Sequence, residues 1–170
     1  MSDAQLGPAT FFREGPMVVA TLSREIAADP QAVWTALTAP ELLPQWLAPG
    51  TIELRPGGAV RLDFGDSGVV VDSTVSAVEP GRLLEYSWSG PGEPQRPVRW
   101  EIAPRGAAVD LTLTLKLPPD EDAGRSAAGW AAHLEMLACA LAGVPIKFPF
   151  EAFKATRDAY RDLVGVEVAY

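Results

Sequence analysis

The stretch GWAAHLEMLACAL, residues 129–141, holds the only histidine and the only cysteine of the 170-residue chain, His133 and Cys139. On a helical wheel at about 100° per residue, its large apolar residues form one stripe, composed of Trp130, Leu134, Leu137 and Leu141. His133 falls at the edge of this stripe, and Cys139 falls about opposite Trp130. The pattern therefore predicts a helix that covers an apolar surface, and it argues against a compact site that uses both His133 and Cys139.

The surface that this helix would cover is predicted by a series of strands earlier in the chain. AVDLTLTLKL, residues 108–117, alternates apolar and polar side chains, and MVVATLSREI, residues 17–26, does the same. Further alternating stretches lie between them, separated by glycine- and proline-rich turns, such as the predicted hairpin turn at 65–68. In the strand after that turn, the residues predicted to face inward begin at Val69. Short turns between such strands are typical of an antiparallel meander with one apolar face.

Helix signals flank this block of strands. Asp29 and Pro30 are typical of an N-cap and first turn, and they predict a short helix that ends before Pro40. A second short helix is expected directly after it. Ser126 is the expected cap of the long helix, which would continue to about residue 142.

Strands gathered in one block, with helices outside it, predict an α+β fold rather than alternating βαβ units. The expected architecture is a curved antiparallel sheet of about six to seven strands wrapped around the long C-terminal helix, with two short helices after the first strand. We expect one domain over residues 1–170. It comprises an irregular lead-in at 1–16, a core at 18–142, and an extension at 146–170 that contains a short amphipathic helix.

Three motifs in order along the chain carry a family resemblance: REIAADPQAVWTALTAPELLPQWL at 24–47, GRLLEYSW at 81–88, and the helix at 129–141. Together they resemble the activator of heat-shock protein 90 ATPase homologue family, part of the START/polyketide-cyclase (SRPBCC) superfamily. The resemblance implies a helix-grip fold with a cavity between the long helix and the sheet. It implies less about chemistry, because members range from co-chaperone domains to ligand carriers and cyclases.

Composition excludes several other classes of protein. The formal net charge is −8, with 14 basic against 22 acidic residues, so neither nucleic acid nor an anionic membrane surface is an expected partner. One cysteine rules out an internal disulfide, and one histidine and one cysteine are too few for a structural zinc site. We expect a cytoplasmic protein without a metal or another cofactor, since no secretory leader or membrane-spanning run is evident.

Inward-facing residues define the candidate ligand-binding site. They are expected to line the cavity between helix and sheet and comprise Trp46, Phe64, Val71, Ser73, Tyr86, Trp88, Trp100, Trp130, His133, Leu134 and Leu137. Most are apolar or aromatic, as in small-molecule pockets, whereas Ser73, Tyr86 and His133 could orient a ligand. No catalytic residue is assigned, because the carboxylates of the strands face outward and the acidic run at 120–122 is expected to be solvated.

The function that we expect from the sequence is the binding of an apolar small molecule, which makes an enzyme the less expected class. One alternative is a cyclase- or dehydratase-like enzyme that uses the same cavity, with His133 or Tyr86 as the proton carrier. The other is an interaction module that forms a homodimer or activates a chaperone ATPase.

Overall fold

A computed structural model describes residues 5–65, 68 and 70–168. The predicted turn residues Asp66 and Ser67, and the predicted inward residue Val69, lie outside the described residues. The described strands are β1 (Thr10–Glu14), β2 (Met17–Ile26), β3 (Gly50–Ile52), β4 (Ala59–Asp63), β5 (Val70–Glu79), β6 (Leu83–Ser87), β7 (Pro97–Arg105) and β8 (Ala108–Leu117). The helices are α1 (Pro30–Thr38), α2 (Leu43–Trp46), α3 (Ala123–Leu141) and α4 (Phe150–Glu167).

The described strands form an eight-stranded antiparallel sheet in the order β1-β2-β8-β7-β6-β5-β4-β3. Strands β3 to β8 follow one another as a meander, and β2 joins its far side by pairing with β8. The curved sheet carries α3 on its apolar face, which confirms the predicted α+β helix-grip architecture.

Strand β8 shows how the sequence pattern builds this apolar face. The residues at every second position are almost completely buried, namely Val109, Leu111, Leu113, Leu115 and Leu117. The polar residues between them are partly exposed on the other side of the sheet. The predicted period-two alternation therefore matches the two faces of the strand.

The lead-in predicted as irregular contains strand β1, so the described sheet has eight strands rather than six to seven. Gly15, with φ +60°, forms the tight connection that returns β1 onto β2. Phe11 is buried and packs edge-on against Tyr160 of α4, with ring centroids 5.7 Å apart. The strand therefore depends on tertiary partners, and its short, glycine-flanked sequence carries little periodicity of its own.

The long helix begins earlier than predicted, because its cap is Asp122 and not Ser126. The Asp122 carboxylate accepts a hydrogen bond from the Arg125 backbone N–H at 3.1 Å. Asp122 also forms an ion pair with Arg161 of α4 at 2.6 Å. This contact is the main reason why the pKa of the Asp122 carboxyl lies below its ordinary value. Asp122 therefore has a structural role, although its side chain is exposed, as was predicted for the acidic run.

The extension at 146–170 contains a helix of 18 residues, α4, where a short one was predicted. Helix α4 packs along α3, and a Cβ on Gly124 of α3 would come within 2.7 Å of the Arg161 backbone. The lead-in holds α4 from its other side: the Tyr160 hydroxyl donates to the Gly7 carbonyl at 2.6 Å, and the Leu6 N–H donates to Thr156 Oγ1 at 2.8 Å. Helix α4 therefore packs both against α3 and against strand β1 of the sheet.

We predict that Leu137→Ala lowers the free energy of unfolding by about 2–5 kcal/mol, because it opens a cavity beneath a fully buried side chain. Glu135→Ala on the exposed side of the same helix is the control and should change it by less than about 0.5 kcal/mol. Urea unfolding monitored by circular dichroism measures both values. Equal effects of the two substitutions would contradict the assignment of the covered face of α3.

Candidate functional site

A cavity of about 430 Å³ opens between the first half of α3, the sheet, and the segment that joins α3 to α4. From the sheet and its loops it is lined by Val70, Val71, Trp88, Ser89, Gly90, Glu93, Arg96, Pro97, Val98, Leu115 and Leu117. From the helical side it is lined by Glu121, Arg125, Ser126, Gly129, Trp130, His133, Phe148 and Phe153. Its volume lies within the range of roughly 300–1,000 Å³ that small-molecule sites occupy.

The inner part of the cavity is aromatic and aliphatic. The rings of Trp88 and Trp130 meet edge to face, with centroids 4.7 Å apart and an angle of 75° between their planes. The aliphatic residues Val71, Val98 and Leu115 are buried to within 2% exposure. Such a surface favours an apolar, ring-containing ligand, because its burial releases water from apolar area on both partners.

Four of the eleven predicted site residues line this cavity: Val71, Trp88, Trp130 and His133. The remaining seven lie outside its lining and comprise Trp46, Phe64, Ser73, Tyr86, Trp100, Leu134 and Leu137. Leu134 and Leu137 are buried core residues of α3. Trp46 packs edge-on against Trp100 with centroids 5.6 Å apart, and Phe64 packs against Trp88 at 5.8 Å. These residues support the lining from behind.

The two hydroxyl residues expected to orient a ligand have partners within the protein. Ser73 Oγ donates to the Ser87 carbonyl at 2.6 Å. Tyr86 is 1% exposed, its hydroxyl hydrogen-bonds to the Trp100 side chain, and burial raises the pKa of its phenol far above the ordinary value. Neither residue lines the cavity, and each hydroxyl has its hydrogen-bond partner within the sheet.

His133 is the predicted polar residue that does line the cavity. Its Nδ1 lies 2.8 Å from the Trp46 carbonyl oxygen. A carbonyl oxygen only accepts, so Nδ1 carries the proton and Nε2 of the neutral ring has an unshared electron pair. Burial lowers the pKa of the imidazole, and the Trp46 hydrogen bond opposes that effect only in part. At neutral pH, His133 therefore presents a hydrogen-bond acceptor.

The entrance of the cavity carries an ion-pair network that the sequence pattern did not predict. Arg96 Nε donates to Glu121 Oε1 at 2.6 Å, and Ser126 Oγ donates to Glu121 Oε2 at 2.7 Å. The Arg96 and Glu121 side chains are 25% and 22% exposed, so Glu121 is not the solvated residue that was expected. Glu93 approaches Arg96 at 3.5 Å from the other side. Arg96 and Glu121 lie 25 positions apart, and only the fold brings them together.

The described residues contain neither a candidate metal site nor a candidate membrane-spanning helix. They contain no group of three or more His, Cys, Asp or Glu side chains that could hold a metal ion. None of their helices combines the length and apolar character that crossing a bilayer requires.

The helix-grip fold and the cavity between its long helix and the sheet fit a ligand-binding domain of the START/polyketide-cyclase superfamily. The chain belongs to the family described as "Activator of Hsp90 ATPase homolog 1-like protein", whose model matches residues 27–142. This match confirms the resemblance that the three sequence motifs indicated.

Solved structures support the same assignment of the fold. CalU16 from Micromonospora echinospora superposes with a TM-score of 0.78 at 22% identity, covering 94% of this chain and 99% of that chain. The protein encoded by BPP1335 from Bordetella parapertussis has a TM-score of 0.70 at 27% identity, covering 87% and 86%. DynU16, a protein of the dynemicin biosynthetic locus, has a TM-score of 0.67 at 30% identity, covering 75% and 48%. No curated protein matches the chain significantly.

We predict that His133 makes the free energy of unfolding depend on pH. Its pKa lies near 6.5 in the unfolded chain and lower in the folded protein, so the unfolded state binds the proton first as the pH falls. Stability that is complete above this value should therefore decrease between about pH 7 and pH 5. Urea unfolding across this range, compared with His133→Asn, isolates the contribution. An equal pH slope in both proteins would contradict the buried, neutral state of His133.

Proposed function

We propose that the protein binds a small, uncharged, ring-containing molecule in the cavity between α3 and the sheet. The observation that carries the proposal is the combination of the Trp88–Trp130 aromatic surface with His133 at its side. The aromatic surface supplies apolar contact area at about 25 cal/mol per Å². Nε2 of His133 supplies one acceptor, which matches a hydroxyl or N–H group of the ligand.

The charged side chains that line the cavity, Arg96 and Arg125 against Glu93 and Glu121, are equal in number, which favours an uncharged ligand. Arg96 already binds Glu121 and Glu93, so its charge is compensated before any ligand arrives. The chain as a whole has a net charge of −8, which opposes the approach of an anion. A neutral molecule with one hydrogen-bond donor needs no unpaired arginine to bind it, and the negative net charge does not repel it. The similarity to DynU16, a protein of a biosynthetic locus, supports the view that this ligand is a biosynthetic intermediate or product.

A second candidate function is a cyclase- or dehydratase-type reaction in the same cavity. The position of His133 favours it, because a ring oriented through Nδ1 with a free Nε2 is the arrangement of a general base. Tyr86 does not support this candidate, since its phenol is buried behind the cavity lining. Mass spectrometry of a poly-β-ketone incubated with the protein would distinguish the two functions. If the compound loses the mass of one water with the wild type but not with His133→Ala, the result supports catalysis.

We predict that the protein binds 2-naphthol about three- to tenfold more tightly than 2-methoxynaphthalene, because only the hydroxyl can donate to His133. His133→Phe should abolish this preference while both compounds still bind. Cys139→Ser, on the same helix and away from the cavity, should retain it. Isothermal titration calorimetry measures the six affinities, two compounds for each of the three proteins. A preference that survives in His133→Phe would show that the histidine does not bind the hydroxyl.

We also predict that Gly129→Phe blocks the cavity. A Cβ built on Gly129 meets nothing within 4 Å, so a larger side chain there has room to extend into the space that Gly129 lines. Binding of 2-naphthol should be lost, whereas Gly129→Ala should keep it and raise the free energy of unfolding by about 0.5–1 kcal/mol. Calorimetry and thermal unfolding provide the two measurements. Undiminished binding by a folded Gly129→Phe protein would place the ligand elsewhere.

A further inference from the structure

The cavity has a wall that lies outside the part of the chain matched by the family model. The match ends at residue 142, and both Phe148 and Phe153 line the cavity beyond it. The Phe148 ring lies 5.5 Å from the His133 ring and 5.5 Å from the Phe153 ring, measured between centroids. One side of the site is therefore built by the C-terminal extension and faces the residue that would bind the ligand hydroxyl.

The extension is tied to the body of the protein along α4. Two of its side chains, those of Thr156 and Tyr160, hydrogen-bond to the backbone of the lead-in at Leu6 and Gly7. A third, Arg161, binds Asp122 at the start of α3, so the helix is fixed against both. Phe153 belongs to this helix, and the Arg157 guanidinium lies 5.9 Å from its ring centroid. The position of Phe153 therefore follows from that of α4.

The segment 143–149 is bound through its backbone at both ends, and its carbonyls at Phe148 and Pro149 accept hydrogen bonds from the N–H groups of Phe150 and Phe153 at 3.0 and 2.8 Å. Among the described residues, its backbone N–H groups bind only the end of α3, from Gly143 to Ala140 at 3.0 Å and from Val144 to Cys139 at 2.9 Å. Phe148 is partly exposed and contacts His133, Phe150 and Phe153 through ring packing. The Phe148 side chain itself contributes only ring contacts to this wall, so a ligand can replace those contacts without breaking a side-chain hydrogen bond.

We propose that Phe148 is a specificity-determining residue that limits the length of the ligand beyond the group that binds His133. The inference rests on the proposed function, because it needs a ligand in the same cavity. Removal of the ring extends the apolar space next to His133, so a longer fused-ring molecule gains room. A short molecule loses one aromatic contact, which is worth a factor of roughly two to ten in affinity.

The test compares two probes, 2-naphthol and the larger 1-hydroxypyrene, by calorimetry. The proteins are the wild type, Phe148→Ala, Phe148→Leu and the matched control Phe150→Ala. Phe150 is a suitable control because it is 66% exposed, contacts Phe148 at 4.8 Å between ring centroids, and does not line the cavity. Thermal unfolding of each variant confirms that it is folded before binding is measured.

We expect Phe148→Ala to change the affinity ratio of the two probes by about tenfold in favour of 1-hydroxypyrene. Phe148→Leu should lie between it and the wild type, and Phe150→Ala should equal the wild type. If the wild type binds 2-naphthol and Phe148→Ala shifts the ratio no more than Phe150→Ala does, the role of Phe148 is overturned and the proposed function stands. If the folded wild type binds neither probe, the proposed function fails, and the inference fails with it.

Discussion

Burial of the apolar stripe of α3 against the curved sheet is the interaction on which the rest of the structure depends. Trp130, Leu134 and Leu137 are each at most 7% exposed, and a fully buried side chain of this size contributes about 1.5–3 kcal/mol. A flat sheet would cover only part of a 19-residue helix, so the sheet curves around it. Helix α4 then covers a second side of α3, where small residues such as Ala128 and Ala132 are buried.

The cavity arises because the side chains along α3 change in size. In its second half, Leu134 and Leu137 fill the space above the sheet, with Trp46 and Trp100 packed behind the cavity lining. In its first half, Ser126 and Gly129 occupy the positions that face the sheet edge and leave space there. The site is therefore continuous with the core, and its residues are held by the same packing that stabilises the fold.

Periodicity predicted the parts of the structure that are determined locally. The alternation in β8, the Asp29 cap of α1 and the apolar stripe of α3 each follow from neighbouring residues. Strand β1 and the full length of α4 were not predicted, because Phe11 and Tyr160 stabilise one another from opposite ends of the chain. The site was predicted only in part for the same reason. Tyr86 and Ser73 were both predicted to face inward, and Tyr86 is buried while Ser73 is partly buried. Their hydroxyl partners, Trp100 and the Ser87 carbonyl, depend on strand register. The ion pair between Arg96 and Glu121 joins two loops that carry no pattern.

The central claim is that one neutral histidine and one aromatic surface together bind a ring-containing donor. A crystal structure of the protein in complex with 2-naphthol tests this claim most directly. We expect the naphthalene ring to lie against Trp88 and Trp130, with the naphthol oxygen about 2.7–3.0 Å from Nε2 of His133. Naphthol bound on another surface, or bound in the cavity with its oxygen turned away from His133 toward Arg96 and Glu121, would contradict it.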